Sequence, residues 1–138
     1  MEQKDKDLLL KDICARLPYD IKCKIEMWIG CDVCTIYNIN SIGYVEIVED
    51  SDTNGISIEK IKPYLFPLSS MTEEQRKEYE DALTYHDYVK GGWTIAKSFD
   101  DEYIIPYWFV DFCNKNHFDY RGLIPKDLAI NATNLNIY

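Results

Sequence analysis

Ile21-Lys22-Cys23-Lys24-Ile25-Glu26-Met27-Trp28-Ile29 sets Ile21, Cys23, Ile25, Met27 and Ile29 on one side of an extended chain and Lys22, Lys24 and Glu26 on the other. Side chains alternate across a strand with a period of two, so this stretch predicts a strand with one buried face. Upstream the period is helical. Leu8, Leu9, Asp12, Ile13 and Arg16 divide apolar from polar faces and Pro18 ends the pattern, which predicts a helix over Asp5 to Leu17 that lies as a lid on the sheet.

Downstream, Val33 to Ile39 and Tyr44 to Glu49 read as further strands, with Val45 and Ile47 alternating against Tyr44 and Glu46. Asp50-Ser51-Asp52-Thr53-Asn54-Gly55 is a turn signal, followed by a short strand through Ile56 and Ile58. Short, closely spaced strands predict an α+β fold with a small bent antiparallel sheet, at its most curved an SH3-like partial barrel. Pro63 to Pro67 then leaves the sheet. Ser70 with Glu73 and Thr72 with Gln75 form overlapping capping boxes for a helix running through about Leu83. Gly91-Gly92 and Asp100-Asp101 punctuate the next segment, and Pro106 opens a last helix reaching about Asn116. Tyr107, Trp108, Phe109, Val110 and Phe112 make that helix apolar nearly all round, which predicts a central place in the core. No internal repeat or low-complexity tract appears, so residues 1–138 read as one domain, with an N-terminal helix and sheet over about 1–68 and a helical half over about 69–138.

Fifteen basic against twenty-four acidic side chains leave a net charge of -9. Proteins that bind nucleic acid concentrate Lys and Arg to neutralise phosphates, so direct nucleic-acid binding is disfavoured. The acidity suits solubility or a basic partner. Eleven tyrosines within an aromatic content of 14% suit a packed globule and a binding surface, because tyrosine offers large contact area at small rotamer cost. Apolar runs fall far short of the roughly 20 residues that span a bilayer, and none follows a basic N-terminus, which predicts a cytoplasmic chain without membrane contact. Five cysteines, an odd number without framework spacing, fit a reducing compartment with buried thiols, where the Asn131-Ala132-Thr133 sequon has no use.

Cys31-Asp32-Val33-Cys34 has the spacing of a metal or redox motif, but a structural zinc site needs a second ligand pair and Cys14, Cys23, Cys113, His86 and His117 stand alone. Thr35, Ile36 and Tyr37 favour a strand after Cys34, not the helix N-terminus that lowers a catalytic thiol's pKa. The expectation is a turn with buried thiols, no metal and no cofactor. His86 reads as a solvated group near a helix end, and Glu73, Glu74, Glu78, Glu80 and Asp81 as a solvated helix face. No phosphate-binding glycine loop, nucleophile elbow or dinucleotide fingerprint is present, so no catalytic residue is assigned.

Asn116-His117-Phe118-Asp119-Tyr120-Arg121-Gly122-Leu123-Ile124 is the window richest in chemistry. In one interpretation Phe118 and Tyr120 anchor it to the core while Asp119 and Arg121 pair locally; in the other it contacts a ligand or partner. The candidate binding residues are His117, Asp119, Tyr120 and Arg121, with Tyr107 and Trp108 as aromatic faces that could stack a base.

Three blocks carry a family likeness: Leu8-Leu9-Leu10-Lys11-Asp12-Ile13-Cys14-Ala15-Arg16-Leu17-Pro18-Tyr19, Lys62-Pro63-Tyr64-Leu65-Phe66-Pro67-Leu68-Ser69-Ser70-Met71-Thr72-Glu73-Glu74, and His117-Phe118-Asp119-Tyr120-Arg121-Gly122-Leu123-Ile124. They resemble segments of small uncharacterised proteins of phages and prophages of gut bacteria. The resemblance implies an accessory protein in the host cytoplasm that acts by binding, either inhibiting a host defence protein or sequestering a small nucleotide signal. Two alternatives are a small hydrolase or nuclease using His117 and Asp119, and a virion structural or assembly protein that forms homo-oligomers.

Overall fold

Burial alternates where the period-two pattern places it: Ile21, Cys23 and Ile25 are buried while Lys24 faces out. The computed structural model describes residues 1–26, 28–50, 54–90 and 107–138, with the backbone alone for 82–90. The strands are β1 (Lys22–Ile25), β2 (Cys34–Ile39), β3 (Val45–Ile47), β4 (Ile61–Leu65) and β5 (Ile130–Asn131); the helices are α1 (Gln3–Arg16), α2 (Glu73–Lys90) and α3 (Tyr107–Lys115). The fold is α+β with a small bent sheet.

The five strands run in the order β3-β2-β1-β4-β5. The first three pairings are antiparallel and β4 with β5 is parallel, so the sheet is mixed and not closed, where the sequence suggested antiparallel pairing throughout and a partial barrel. Pairing slips between Ile36 and Asn38 opposite Ile47 and Glu46, which makes Tyr37 the extra residue of a β-bulge. A bulge bends its strand and re-aims a side chain.

β1 ends earlier than the alternation suggested. After Glu26 N–H bonds Lys60 O at 2.8 Å, the amide of Trp28 turns back on Ile25 O at 3.4 Å, leaving Trp28 and Ile29 exposed; Met27 lies outside the described residues.

The segment expected to leave the sheet is instead β4, in the sheet interior. Ladder hydrogen bonds alternate along an antiparallel pair. With Glu26 bonded to Lys60, the pairs Lys24–Lys62 and Cys23–Pro63 fall in bonded and non-bonded phase respectively. Pro63 therefore owes β1 no N–H, and β5 begins to pair only at Tyr64. Ile56 makes a single bridge to Val45, and Ile58 opens a 3-10 turn, Ile58–Lys60, in place of a strand.

Thr72 and Gln75 form the reciprocal capping box at the start of α2: the Thr72 amide donates to Gln75 Oε1 at 2.9 Å and the Gln75 amide to Thr72 Oγ1 at 3.2 Å. Ser70 instead closes the preceding turn, its hydroxyl donating to Pro67 O at 2.7 Å. α2 continues to Lys90, past Leu83. The helix end expected near His86 is thus displaced, and that residue's side chain lies outside the described set, as do Gly91-Gly92, Asp100-Asp101 and Pro106.

α3 is amphipathic, not apolar all round. Phe109, Phe112, Cys113 and Asn114 are buried, whereas Tyr107 is 70% exposed and Asp111 faces solvent.

Among the described residues, two apolar clusters result. Leu9 and Ile13 of α1 pack with Ile21, Cys23, Ile36, Ile47, Ile61 and Leu65 of the sheet, fulfilling the expected lid. Phe109, Phe112, Cys113, Phe118 and Tyr120 form the second, with Phe66, Tyr79 and Trp108 at its margin. Among the described residues, no helix is long and apolar enough to cross a membrane.

Candidate functional site

The end of α3 explains His117. The amide of Phe118 donates to Cys113 O at 2.8 Å and that of His117 to Asn114 O at 3.3 Å, the paired bonds of a Schellman cap. This cap needs a left-handed residue, usually glycine, and His117 takes the position with φ of 59°. Its ring is buried and stacks on Tyr138, with centroids 3.7 Å apart and planes 12° from parallel. Burial, and secondarily the nearby charge of Arg16, pull its pKa down from 6.5 to about 4, so the imidazole is neutral at neutral pH. Nδ1 is buried without a hydrogen-bond partner.

The next residues are stitched to β4. Phe66 N–H donates to His117 O at 2.9 Å and Asp119 N–H to Phe66 O at 2.8 Å, making a parallel bridge at Phe118. Asp119 does not pair with Arg121. Its Oδ1 and Oδ2 accept the amides of Leu123 and Ile124, each at 2.8 Å, and so close the loop that Gly122 turns. Phe118 and Tyr120 are the anchors the sequence suggested, both in the aromatic cluster.

Arg121 turns towards α1. Its Nε lies 3.3 Å from Asp12 Oδ1, without hydrogen-bond alignment, and its guanidinium sits 4.8 Å from the Tyr120 ring centroid. Asp12 is chiefly the partner of Arg16, which is fully buried and grips it twice, Nε to Oδ2 at 2.8 Å and Nη2 to Oδ1 at 3.1 Å. Arg16 also donates to Phe118 O at 2.7 Å and to Cys113 O at 3.3 Å, and lies 5.2 Å from the Tyr120 centroid. A cation on the last carbonyls of α3 suits the negative end of its dipole. Asp12 and Arg16 thus bind α1 to the 117–121 segment. Sequence reasoning placed both on α1 but gave neither this role; an aspartate four residues before an arginine was the available signal.

Tyr107 and Trp108 belong to a different place. They line an open groove of about 290 Å³ with Tyr19, Phe112, Glu78, Asp111 and Lys115. None of His117, Asp119, Tyr120 and Arg121 lines that groove, so the six candidates divide into a stitched segment and a separate notch.

The cysteine pair sits in the turn into β2. Cys31 Sγ donates to Val33 O at 2.8 Å and Cys34 Sγ to Cys31 O at 3.7 Å. Burial above all pushes the Cys34 thiol up to about 12, which disfavours the thiolate that a metal or a redox reaction needs. Cys113 is likewise pushed up to about 12 by burial. Among the described residues, no three His, Cys, Asp or Glu side chains converge on a possible metal position.

A third region lies outside the candidates read from the sequence. Tyr37, Ile42 and Val48 of the β2–β3 hairpin are 57%, 73% and 63% exposed, and Tyr44 is partly so. Two carboxylates are fixed beside them: Asn38 Nδ2 donates to Glu46 Oε2 at 2.9 Å, and the Thr35 amide to Glu49 Oε2 at 2.8 Å. Gly55 permits the return of the chain beside the hairpin. Its φ is 73°, and a Cβ there would meet Tyr44 Cβ at 2.8 Å.

No protein-family model matches the chain, and comparison with curated proteins and with solved structures likewise found no match.

Proposed function

We propose that the protein acts without catalysis, by binding a basic protein partner on the outward face of the β2–β3 hairpin. The observation that carries this is the concentration of Tyr37, Ile42, Tyr44 and Val48 within twelve positions, flanked by the fixed carboxylates of Glu46 and Glu49. Aromatic and aliphatic groups ringed by charge are the anatomy of a protein interface, and the net charge of -9 would steer a basic partner towards it. The likeness of three sequence blocks to phage and prophage proteins supports a bacterial host protein, such as a defence enzyme, as that partner.

The geometry favours binding over hydrolysis. A general acid and base need free, substrate-facing groups; both Asp119 oxygens already accept amides, and the His117 ring is buried under Tyr138. It also favours a protein over a nucleotide, because Arg121 faces Asp12, and beside Tyr107 and Trp108 the carboxylates of Glu78 and Asp111 stand against the single ammonium of Lys115.

The test is capture from a gut-bacterial lysate on immobilised full-length chain, run beside an Ile42→Ser/Val48→Ser variant and read by quantitative mass spectrometry. The expected result is a basic protein held by the wild type, lost from the variant, and released as salt rises. Equal recovery by both chains would sink the assignment of the hairpin, and salt-independent capture would sink the basic partner.

A further inference from the structure

The antiparallel ladder between β1 and β4 stops one pair early. Lys24–Lys62 is a bonded pair and Cys23–Pro63 a non-bonded one, so Lys22–Tyr64 would bond next, but the register ends at Cys23–Pro63. Tyr138 stands in the gap. The Lys22 amide donates to its hydroxyl at 3.2 Å and the hydroxyl donates to Tyr64 O at 2.8 Å, so one phenol satisfies two backbone groups that the ladder would have joined. Its ring lies on the buried His117 imidazole, with centroids 3.7 Å apart, and 5.9 Å from the Phe66 ring. We infer that this gap is a recognition slot for a phenol, filled here by Tyr138, which is carried on a strap over residues 133–138 that opens while the rest of the fold stays closed.

The slot matches that group in both its parts. A donor from β1 and an acceptor from β4 meet the hydroxyl while planar rings meet the aromatic body, so a phenylalanine would fill the shape and leave both backbone groups unpaired. The strap is secured at two points. Ala132 is buried and its amide donates to Leu65 O at 2.8 Å, and Tyr138 is the second anchor. Between them Thr133 to Asn136 are exposed, Ile137 is half-buried, and Asn134 and Asn136 take φ of 64° and 51°. The hydrogen bonds of this stretch are local, from the Thr133 amide to Asn131 Oδ1 at 3.0 Å and from the Leu135 amide to Ala132 O at 3.1 Å. Tyr138 itself is 44% exposed. A segment with few buried contacts and bonds mainly to itself lies at the low end of local stability, so it opens without global unfolding. Opening bares Lys22 N–H, Tyr64 O and the His117 face together, and a tyrosine side chain presented by another molecule meets the same donor, acceptor and ring. This inference does not depend on the proposed function.

Isotope-labelled full-length Tyr138→Gly protein would be titrated with 4-methylphenol and with toluene, which reproduce the side chains of tyrosine and phenylalanine, following the Lys22 amide and the His117 ring by NMR. 4-Methylphenol should shift both signals saturably and bind at least about tenfold more tightly than toluene, because the hydrocarbon leaves Lys22 N–H and Tyr64 O unpaired. The wild type should bind it at least about tenfold more weakly than the variant does, since only the open fraction of its slot is available. Equal affinity for the two probes, equal affinity in the two proteins, or no binding by the folded variant would each overturn the slot. Tyr138→Phe keeps the ring and serves where Tyr138→Gly does not fold. Its Lys22 amide should exchange with solvent at least about tenfold faster than in the wild type, with Ile36 unchanged; an unaltered Lys22 rate would overturn the hydroxyl's role. In the wild type the Lys22 amide should exchange faster than that of Ile36, and equal rates would overturn the strap, because it would then open only with the whole fold.

Discussion

The segment His117 to Ile124 and the hairpin from Tyr37 to Val48 are opposites. The first holds a histidine, an aspartate, a tyrosine and an arginine in succession, yet each serves the fold: His117 caps a helix through its backbone and buries its ring under Tyr138, Asp119 accepts two amides, Tyr120 packs in the aromatic cluster and Arg121 contacts Asp12. The second has little chemistry in its side chains, yet it presents aromatic and aliphatic surface that the fold does not use. Density of reactive groups in a sequence therefore does not locate a site; what matters is which groups remain available once the backbone has been satisfied.

The sharpest way to break this contrast is at the ion pair behind the stitched segment. Asp12→Ala would leave the fully buried Arg16 without its carboxylate and should cost about 3–5 kcal/mol in urea unfolding, and Arg16→Ala somewhat less, because Arg121 stays 3.3 Å from Asp12 Oδ1. Asp12→Leu combined with Arg16→Met should recover much of that loss. A cost under about 1 kcal/mol for either single variant would mean that the pair does not hold the segment.

Acid should act next most strongly. The His117 pKa is lower folded than unfolded, so its contribution to stability is complete above about pH 6.5 and is lost as pH falls towards 4, by about 3 kcal/mol. His117→Asn, which tolerates the left-handed backbone, should flatten the stability profile between pH 6.5 and 5, where carboxylates contribute less. Parallel profiles for the two chains would contradict a buried neutral imidazole.

Smaller effects belong to the hairpin. Gly55→Ala should cost more than about 1 kcal/mol, through its positive φ and the contact with Tyr44, and a neutral outcome in thermal unfolding would show that the hairpin is not braced there. Ile42→Ser and Val48→Ser should each change stability by less than about 0.5 kcal/mol while abolishing partner capture. A large loss of stability would make these side chains structural and erase the difference between the two regions.

Local signals carried much of the fold. Alternation from Ile21 to Ile25 and the Thr72–Gln75 box translate directly into β1 and the start of α2, because each depends on residues close in sequence. β4 was hidden because Pro63 reads as a strand breaker, and only the hydrogen-bond phase set by β1 makes it harmless. β5 is too short to show a period and exists through its pairing with Tyr64 and Leu65. The site was less legible. Tyr37 gains its outward place from a bulge defined by β3, His117 its role from the end of α3, and Arg16 its carbonyl partners from residues about a hundred positions away.

Amide hydrogen exchange on the full-length chain is the most direct test of the central claim that the chemistry-rich segment is architecture. The amides of Phe118, Asp119, Leu123 and Ile124 should exchange only through global unfolding, as slowly as that of Ile36, which bonds Ile21 O within the sheet. Exchange of those four amides orders of magnitude faster than Ile36 would reveal an independently opening loop, and would return His117 to Arg121 to candidacy as a binding site.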